Sequence, residues 1–508
     1  MFPRPFWRAF APLVHLFLSV LVVPVGRTAE PALFRFHHEG VLGTSFDLQV
    51  RAADAAQAGL VEAAVLAEIE RLRKILSTYD PQSEISRFNT SAGPVPCAPE
   101  LLDVLGFYDF WNGKSAGAYN GHLGDLIAAW QAAEKTGVPP DAATLQRIIR
   151  ALAQPGWKLD RAAGRAARLP GGALTIDSLG KGYILSKAAA AARARVPAVP
   201  GFLLNIGGDI FASGQPAAGV PWTVGVADPR HSADNAPPLT QLRVSDRAVS
   251  TSAAYERGFT VGGRRLSHIL DPRTGQPAEG VASATVIAAN NANANALATT
   301  LCVLKPEEGL ALARQIPDVE CLIIAADGRA LRSPRLASFE IPPAVAVAPP
   351  PPPAAAGRWP AGYEVALSIT LKAPEDGRKV KRPYVAVWVE NAAAQRVRTV
   401  AVWGNRPKYL PDLPVWWKLA QQDQQWAQSV TRATRPAGQH RLVWDGLDDQ
   451  GKPLPPGTYT LFLEVNREHG THALERGTIV CGPAPAQGSI PAGSEFAATV
   501  LSYGPAAP

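Results

Sequence analysis

Hydrophobic and polar positions follow two different patterns along the chain, and the first mixes helices with strands. Residues 43–50 alternate between the two kinds of position, as a strand does. Apolar residues then recur every three or four positions, which predicts a helix with one buried stripe: Val61, Val65, Ile69, Leu72 and Leu76. The same criteria predict helices at 99–111, 143–153, 182–194 and from about 292, and strands at 203–206, 222–226, 241–244, 284–288 and 321–325. Because this order lacks strict β-α-β repetition, we expect an α+β domain.

The pattern changes after five consecutive prolines at 349–353. They lie in a Pro/Ala-rich segment, 341–360, which we expect to be an extended polyproline II linker. Beyond it, turn residues separate runs that predict strands of an all-β domain: 363–371, 384–390, 399–403, 439–444 and 458–465. We therefore divide the chain into an α+β domain at 30–340, the linker, a β-sandwich at 361–482 and a disordered tail at 483–508.

Composition narrows the class of protein. The net charge is +7, but lysines and arginines are dispersed and no basic run interleaves with aromatic residues, so nucleic-acid binding is not expected. Residues 1–29 have the layout of a secretory signal, with an uncleaved membrane anchor as the alternative. We therefore expect a periplasmic or other extracytoplasmic location, with anchoring to the inner membrane left open. The four cysteines form no CxxC pair, and we expect Cys302 and Cys321 to be buried free thiols, with a disulfide between these two as the alternative.

Four short motifs carry the chemistry when they are taken together and in order. They are Lys181-Gly182-Tyr183, Leu204-Asn205-Ile206-Gly207-Gly208-Asp209, Ser267-His268-Ile269-Leu270-Asp271-Pro272-Arg273-Thr274-Gly275 and Asn295-Ala296-Leu297-Ala298-Thr299. This set resembles the ApbE family of FAD:protein FMN transferases, over about residues 34–334. The resemblance implies an enzyme that splits FAD at its pyrophosphate with Mg²⁺ and attaches FMN to a Thr or Ser of an extracytoplasmic flavoprotein, releasing AMP.

The resemblance also implies a Mg²⁺ site. In the family an Asp stands four residues before a Thr on a helix, so that both side chains face the same side. The corresponding residues here are Asn295 and Thr299, and the third implied ligand is the main-chain carbonyl of Ser178. An amide brings no negative charge to a divalent ion, so the sequence predicts a weakened metal site that Asn295→Asp would strengthen.

Two residues are implied to act in catalysis as well as in binding FAD. Lys181 would face the pyrophosphate, and His268 would donate to the phosphate or accept the proton of the attacking hydroxyl. The other residues implied to bind FAD are Leu42, Tyr79, Ala118, Tyr119, Asn120, Thr175, Asp177 and Ile269.

Two of the motifs are interpreted mainly as supports for the others. We expect residues 271–275 to form a turn that fixes His268 and Ile269. Residues 205–209 are interpreted as structural, with Gly207 and Gly208 packing against the Lys181 segment.

The partner and the alternatives complete the hypothesis. By resemblance, the acceptor is a subunit of a membrane-linked electron-transfer system. Residues 444–460 resemble the immunoglobulin-like sandwich of flagellar hook-capping proteins and a small uncharacterised domain often fused to ApbE-like modules, and this region is a candidate for holding the acceptor. The alternative functions are a catalytically weakened FAD-binding or partner-docking protein, and an FAD pyrophosphatase that gives FMN and AMP.

Overall fold

A computed structural model describes residues 30–176, 178–231, 233, 235–254, 258–342, 359–373, 382–404, 407–423, 426–427, 430–467 and 471–506. Three predictions therefore fall wholly or partly outside the described residues: the signal at 1–29, the cofactor-binding role of Asp177, and the linker, of which 343–358 are not described.

Residues 30–342 form strands and helices in mixed order, as the sequence predicts. The strands are β1 (Ala32–Val41), β2 (Thr44–Ala52), β3 (Val95–Pro96), β4 (Trp157–Asp160), β5 (Arg165–Arg168), β6 (Gly201–Ile206), β7 (Asp209–Gly214), β8 (Trp222–Val226), β9 (Thr240–Val244), β10 (Arg247–Ala253), β11 (Gly258–Val261), β12 (Arg264–Ser267), β13 (Val281–Ala288), β14 (Glu320–Ala325) and β15 (Ala330–Arg332). The helices are α1 (Ala55–Leu76), α2 (Glu84–Thr90), α3 (Pro99–Lys114), α4 (Gly124–Thr136), α5 (Ala142–Leu152), α6 (Gly180–Arg195), α7 (Asn291–Val303) and α8 (Pro306–Ala313).

An eight-stranded sheet in the order β1-β2-β6-β7-β10-β13-β14-β15 forms the centre of this region. Helices α1, α6 and α7 pack on one face, and the β8–β9 hairpin covers the other. Successive side chains of β6 point to opposite faces of the sheet, so this strand contributes to the core on both sides. Leu204 belongs to the cluster on the helix side and Leu203 to the cluster on the opposite side. The predicted apolar stripe of α1 is confirmed, because all five of its residues are buried.

A smaller layer beside the sheet supports the 267–275 motif. Helices α4 and α5 pack against the β11–β12 hairpin, with Trp130 close to Phe259. Helix α4 is absent from the sequence predictions. It begins after Leu123, and no side chain caps its first turn, so the usual polar signal of a helix start is missing.

Residues 359–506 form an all-β region. Its strands are β16 (Tyr363–Leu371), β17 (Tyr384–Glu390), β18 (Arg396–Trp403), β19 (Thr431–Arg432), β20 (Gly438–Trp444), β21 (Gly457–Asn466), β22 (His472–Cys481), β23 (Ala486–Ile490) and β24 (Thr499–Pro505), and helix α9 (Pro414–Ala420) lies between β18 and β19. The sheets β20-β16-β24-β23 and β19-β18-β17-β21-β22 enclose a shared apolar cluster. The prediction of an α+β region followed by an all-β region is confirmed.

The prediction of a disordered tail at 483–508 is wrong. Strand β24 pairs with both β16 and β23, and it turns Leu501 and Tyr503 into the core. This segment contains a short alternation of apolar and polar residues, which its Pro-, Gly- and Ala-rich composition makes difficult to recognise in the sequence. That alternation becomes stable because β16, which is distant in the sequence, and β23 pair with it.

Polar contacts join the two regions. The Asn235 amide donates to the Val443 carbonyl at 2.6 Å and accepts from the Val443 amide at 2.9 Å. Glu39 accepts hydrogen bonds from Thr434 at 2.6 Å and from Arg382 at 3.3 Å. Each hydrophobic cluster among the described residues is built from one region alone. The four cysteines are free thiols, as expected for Cys302 and Cys321.

Candidate active site

The first turns of α6 and α7 lie against each other, and this contact depends on Gly182. A Cβ at Gly182 would lie 2.5 Å from the Asn291 carbonyl oxygen and 3.0 Å from the Asn295 Cβ. Ser186 links the same two turns, since its hydroxyl donates to the Gly182 carbonyl and accepts from the Asn291 amide, each at 3.0 Å. Two motifs more than 100 residues apart in the sequence, those of Lys181 and Asn295, are thereby brought side by side.

Asp209 completes this cluster. The Asn295 side-chain nitrogen donates to both carboxylate oxygens of Asp209, at 2.8 and 2.9 Å. Asp209 is only 8% exposed, and burial raises its pKa, although the Asn295 hydrogen bonds and the positive charge of Lys181 act in the opposite direction. Sequence reasoning missed this role, although a carboxylate immediately after two glycines at a strand end was a signal that could have found it.

The two glycines before Asp209 act differently from the prediction. Both have positive φ angles, +58° at Gly207 and +99° at Gly208, which favour glycine in this turn between β6 and β7. A Cβ at Gly207 would lie 2.9 Å from the Thr44 Cγ2, and one at Gly208 would meet nothing within 4 Å. The expectation that they pack against the Lys181 segment is therefore wrong, because the close neighbour of Gly207 is Thr44 at the start of β2 and Gly208 has open space beside it.

The other two implied metal ligands have partners within the protein. Thr299 lies one turn after Asn295 on α7, and its hydroxyl is 3.2 Å from that of Ser252. The Ser178 carbonyl accepts a hydrogen bond from the Tyr119 hydroxyl at 3.0 Å, which leaves its second lone pair for another partner.

The Tyr119 side chain is buried and stacks on Tyr108, with ring centroids 5.2 Å apart. Burial raises the pKa of Tyr119 well above its ordinary value, so its hydroxyl stays protonated and can donate to the Ser178 carbonyl. The phenol thus holds one of the implied metal ligands, while its assignment as a cofactor-binding residue stays a prediction.

The loop with Ala118 and Asn120 is fixed from both sides. The Asn120 amide donates to the Leu152 carbonyl at 3.1 Å and accepts from the His122 amide at 3.0 Å. Thr175 donates its backbone N–H to the Gly121 carbonyl at 2.7 Å, which joins this loop to the segment before Ser178. Asn120 also lines a cavity of about 560 Å³, together with Pro272 and Arg273.

The predicted turn at 271–275 is confirmed. Asp271 accepts hydrogen bonds from the backbone and the guanidinium of Arg273, and the turn ends at Gly275 with a φ of +69°. Trp130 donates to the Gly275 carbonyl at 2.8 Å and ties the turn to α4. Just before the turn, Ile269 is buried in the core while His268 is exposed. The turn therefore anchors Ile269 and leaves the imidazole accessible.

Leu42 and Tyr79 lie in two separate loops. Leu42 occupies the β1–β2 turn with a φ of +49°, at the same end of the sheet as Gly207. Tyr79 follows α1, and 84% of it is exposed.

The chemistry of the cluster can be compared with the needs of a metal ion. Among the described residues no group of three or more His, Cys, Asp or Glu side chains could hold one. The implied ligands are instead oxygens of an amide, a hydroxyl and a carbonyl, contributed by Asn295, Thr299 and Ser178, and Asn295 also contacts the Asp209 carboxylate. Such hard donors fit Mg²⁺ and do not suit zinc or iron.

Comparison with known proteins gives a consistent result for both regions. The model of the ApbE family matches residues 42–323, more than half of the chain, and a family described as a predicted periplasmic protein (DUF2271) matches residues 366–498. No helix in the described part of the chain is long and apolar enough to cross a membrane.

Named relatives and solved structures match the first region. A FAD:protein FMN transferase of Treponema pallidum is 32% identical over 314 residues, which are 57% of this chain and 84% of the relative. One of Klebsiella pneumoniae is 28% identical over 288 residues, or 54% of this chain and 79% of the relative. The crystal structure of an ApbE protein from Thermotoga maritima superposes with a TM-score of 0.54 at 25% identity, over 61% of this chain and 99% of that one. The flavin transferase ApbE of Vibrio cholerae gives 0.52 at 24% identity with the same coverage.

The match of the family model, the shared fold and the four motifs agree with one another. The chain therefore belongs to the ApbE family and carries a DUF2271 domain after its ApbE domain.

Proposed function

We propose that this protein transfers FMN from FAD to a threonine or serine of an acceptor flavoprotein and releases AMP. The observation that carries the proposal is the cluster of Lys181, Asp209 and Asn295 at the contact of α6 and α7. The α6 N-terminus has no side-chain cap and Lys181 lies in the first turn of α6, so the positive end of the helix dipole adds to the Lys181 charge. A pyrophosphate is a suitable ligand for such a place, and relatives of this chain are named FAD:protein FMN transferases.

The chemical step needs no nucleophile from this chain. The acceptor hydroxyl oxygen forms a bond to the phosphorus of the FMN half, and the bond from that phosphorus to the bridging oxygen breaks. The bridging oxygen leaves with AMP, and Lys181 offsets its charge. His268 is exposed beside a rigid turn, where it can accept the proton of the attacking hydroxyl.

The oxygen donors of the cluster fit Mg²⁺. Asn295, Thr299 and the Ser178 carbonyl would hold it, and when bound it would stabilise negative charge on the departing phosphate. Tyr119 keeps the Ser178 carbonyl in position, and Ser252 does the same for the Thr299 hydroxyl.

The remaining assignments concern the rest of the cofactor and the partner. The exposed Tyr79 ring is suited to stacking on a flavin or adenine ring, and Leu42, Ala118, Asn120, Thr175 and Ile269 are proposed to contact FAD nearby. The acceptor is proposed to be an extracytoplasmic subunit of a membrane-linked electron-transfer system, held by the all-β region. The periplasmic description of the family matched by that region supports this location.

A mass measurement tests the proposal. The purified chain is incubated with FAD, Mg²⁺ and an acceptor protein that carries a flavinylation threonine, and the acceptor is weighed by intact mass spectrometry. We expect the acceptor to gain one FMN and AMP to appear in equal amount, with no gain in an acceptor whose threonine is replaced by alanine or in the presence of EDTA.

Two other results would replace the proposal with one of its alternatives. Release of free FMN and AMP, with an unmodified acceptor, would indicate an FAD pyrophosphatase. Binding of FAD without cleavage would indicate an FAD-binding or docking protein.

A further inference from the structure

The hydrogen bonds between Asn295 and Asp209 fix the orientation of the Asn295 amide. A carboxylate only accepts hydrogen bonds, so the Asn295 nitrogen must face Asp209 and the amide oxygen must face away from it. Since the amide nitrogen contacts both oxygens of one buried carboxylate, rotation of the amide by 180° would place oxygen against oxygen. Asp209 therefore determines which atom Asn295 offers to a ligand.

The position of Asp209 also affects the charge close to Asn295. The residue four positions before Thr299 is an amide in this chain, so it brings no negative charge to a cation. The Asp209 carboxylate lies 2.8–2.9 Å behind that amide, across a contact that joins residues 86 positions apart. A carboxylate that hydrogen-bonds to a metal ligand increases the basicity of the ligand and fixes its orientation.

We propose that Asp209 is the carboxylate of this metal site and acts through Asn295, by holding the amide oxygen toward Mg²⁺ and by supplying the negative charge that residue 295 lacks. Asp209 is thus a positioning residue. The inference rests on the proposed function only in that Mg²⁺ and FAD are taken to bind together here. The positive charge of Lys181 acts on Asp209, and the pyrophosphate of FAD would bring further negative charge to the divalent ion.

The contact also changes what Asn295→Asp is expected to do. That variant would set two carboxylates against each other at hydrogen-bond distance, and their repulsion opposes the gain of a charged ligand. The exchange variant Asp209→Asn/Asn295→Asp avoids this problem. It keeps one amide facing one carboxylate and places the carboxylate at position 295.

The test is a calorimetric titration of Mg²⁺ into the full-length protein with FAD present. We expect Asp209→Asn to weaken Mg²⁺ binding by about tenfold or more, and the exchange variant to return to within about threefold of the wild type. The matched control is Asp246→Asn near the opposite end of β7, where Asp246 accepts a hydrogen bond from Gly214; its Mg²⁺ affinity should not change. FAD affinity is measured separately by flavin fluorescence in EDTA, and thermal unfolding in EDTA shows whether each variant is folded.

Three results would overturn the proposal. The first is wild-type Mg²⁺ affinity in Asp209→Asn, and the second is a folded exchange variant that recovers none of the lost affinity. The third is no Mg²⁺ binding to the wild type with FAD present. If Mg²⁺ binding follows the expected pattern but no acceptor gains FMN, this inference stands and the proposed function fails. If an acceptor gains FMN but Asp209→Asn binds Mg²⁺ as the wild type does, the proposed function stands and this inference fails.

Discussion

The two regions of the molecule treat their buried polar groups differently. In the described part of the chain, every buried side-chain polar atom that lacks a hydrogen-bond partner lies between residues 51 and 291, including Asn291 Oδ1 and His122 Nδ1. The all-β region buries full charges, but it pairs them. Arg467 donates to Glu495 at 2.8 Å, and Glu464 accepts from two backbone amides and from His472.

This difference indicates which region binds a ligand. Buried polar groups are normally satisfied inside the protein, and each one that is not requires an explanation such as a bound water, ion or ligand. Asn291 lies at the start of α7, beside Lys181 and Asn295, and His122 lines the cavity behind Asn120. The all-β region, with its paired charges and aromatic core, has the properties of a scaffold. Changes beside Lys181 should therefore affect FAD binding, and changes in the core of the all-β region should affect stability without affecting FAD binding.

The largest expected effect is on stability, in the all-β region. Glu495→Ala leaves the Arg467 guanidinium, 7% exposed, without its carboxylate, and we expect a loss of about 3–5 kcal/mol in the free energy of unfolding. This loss is measured by urea denaturation, with tryptophan fluorescence as the signal of unfolding. FAD affinity should be unchanged, and weaker FAD binding by the folded variant would contradict the division of roles. Glu495→Gln keeps a hydrogen-bond acceptor and should cost less.

The same pair gives a pH dependence. Burial alone would raise the pKa of Glu495, but the hydrogen bonds from Arg467 and Thr471 outweigh it and lower that pKa below 4.5. The stabilisation is therefore fully present above pH 4.5 and is lost as the pH falls through the lower pKa of the folded state. Glu495→Gln should remove this part of the acid sensitivity.

The second prediction concerns a buried charge where the two regions meet. Burial acts to lower the pKa of His37, but hydrogen bonds to Asp47 and Glu39, each 2.7 Å long, raise it from 6.5 to about 9. His37 should then contribute roughly 2–3 kcal/mol of stability that is fully present below pH 6.5 and is lost as the pH rises through about 9. Thermal unfolding between pH 6 and 10 should show this loss in the wild type, and His37→Gln should abolish it. A flat wild-type profile would contradict the assignment.

The third prediction tests whether the first region binds the pyrophosphate. Lys181→Ala removes a charge beside Asp209, so FAD affinity should fall by roughly 1.5–3 kcal/mol in a flavin fluorescence titration. Lys187→Ala, on the same helix but with a side chain that is 42% exposed, is the matched control and should bind FAD normally. Equal losses in the two variants would indicate an unspecific effect of charge.

The smallest effect is expected where the two helices meet. Gly182→Ala would press a methyl group against the Asn291 carbonyl, and we expect a loss of roughly 1–3 kcal/mol in the free energy of unfolding, together with weaker FAD binding. Gly59→Ala is the control, since its Cβ meets nothing within 4 Å in α1 and should stabilise the helix by about 0.5–1 kcal/mol. A tolerated Gly182→Ala with normal FAD affinity would show that the close approach is not required.

The sequence by itself determined the features that depend on local spacing. Apolar residues three or four apart predicted α1, and the run at 363–371 coincides with β16. The sequence also predicted the Asp-Pro-Arg-Thr-Gly turn, because its hydrogen bonds join residues only a few positions apart. Motif order was sufficient to indicate the family.

Only the tertiary structure decided which of these features meet. Asp209 and Asn295 are 86 positions apart, and their contact follows from the order of β6, β7 and β10 in the sheet together with the packing of α7 against α6. Strand β24 likewise exists because β16 and β23 supply its hydrogen bonds. The periodicity of apolar residues shows which face of a helix or strand is buried. It does not show which element packs against that face, because this depends on how all the elements pack together.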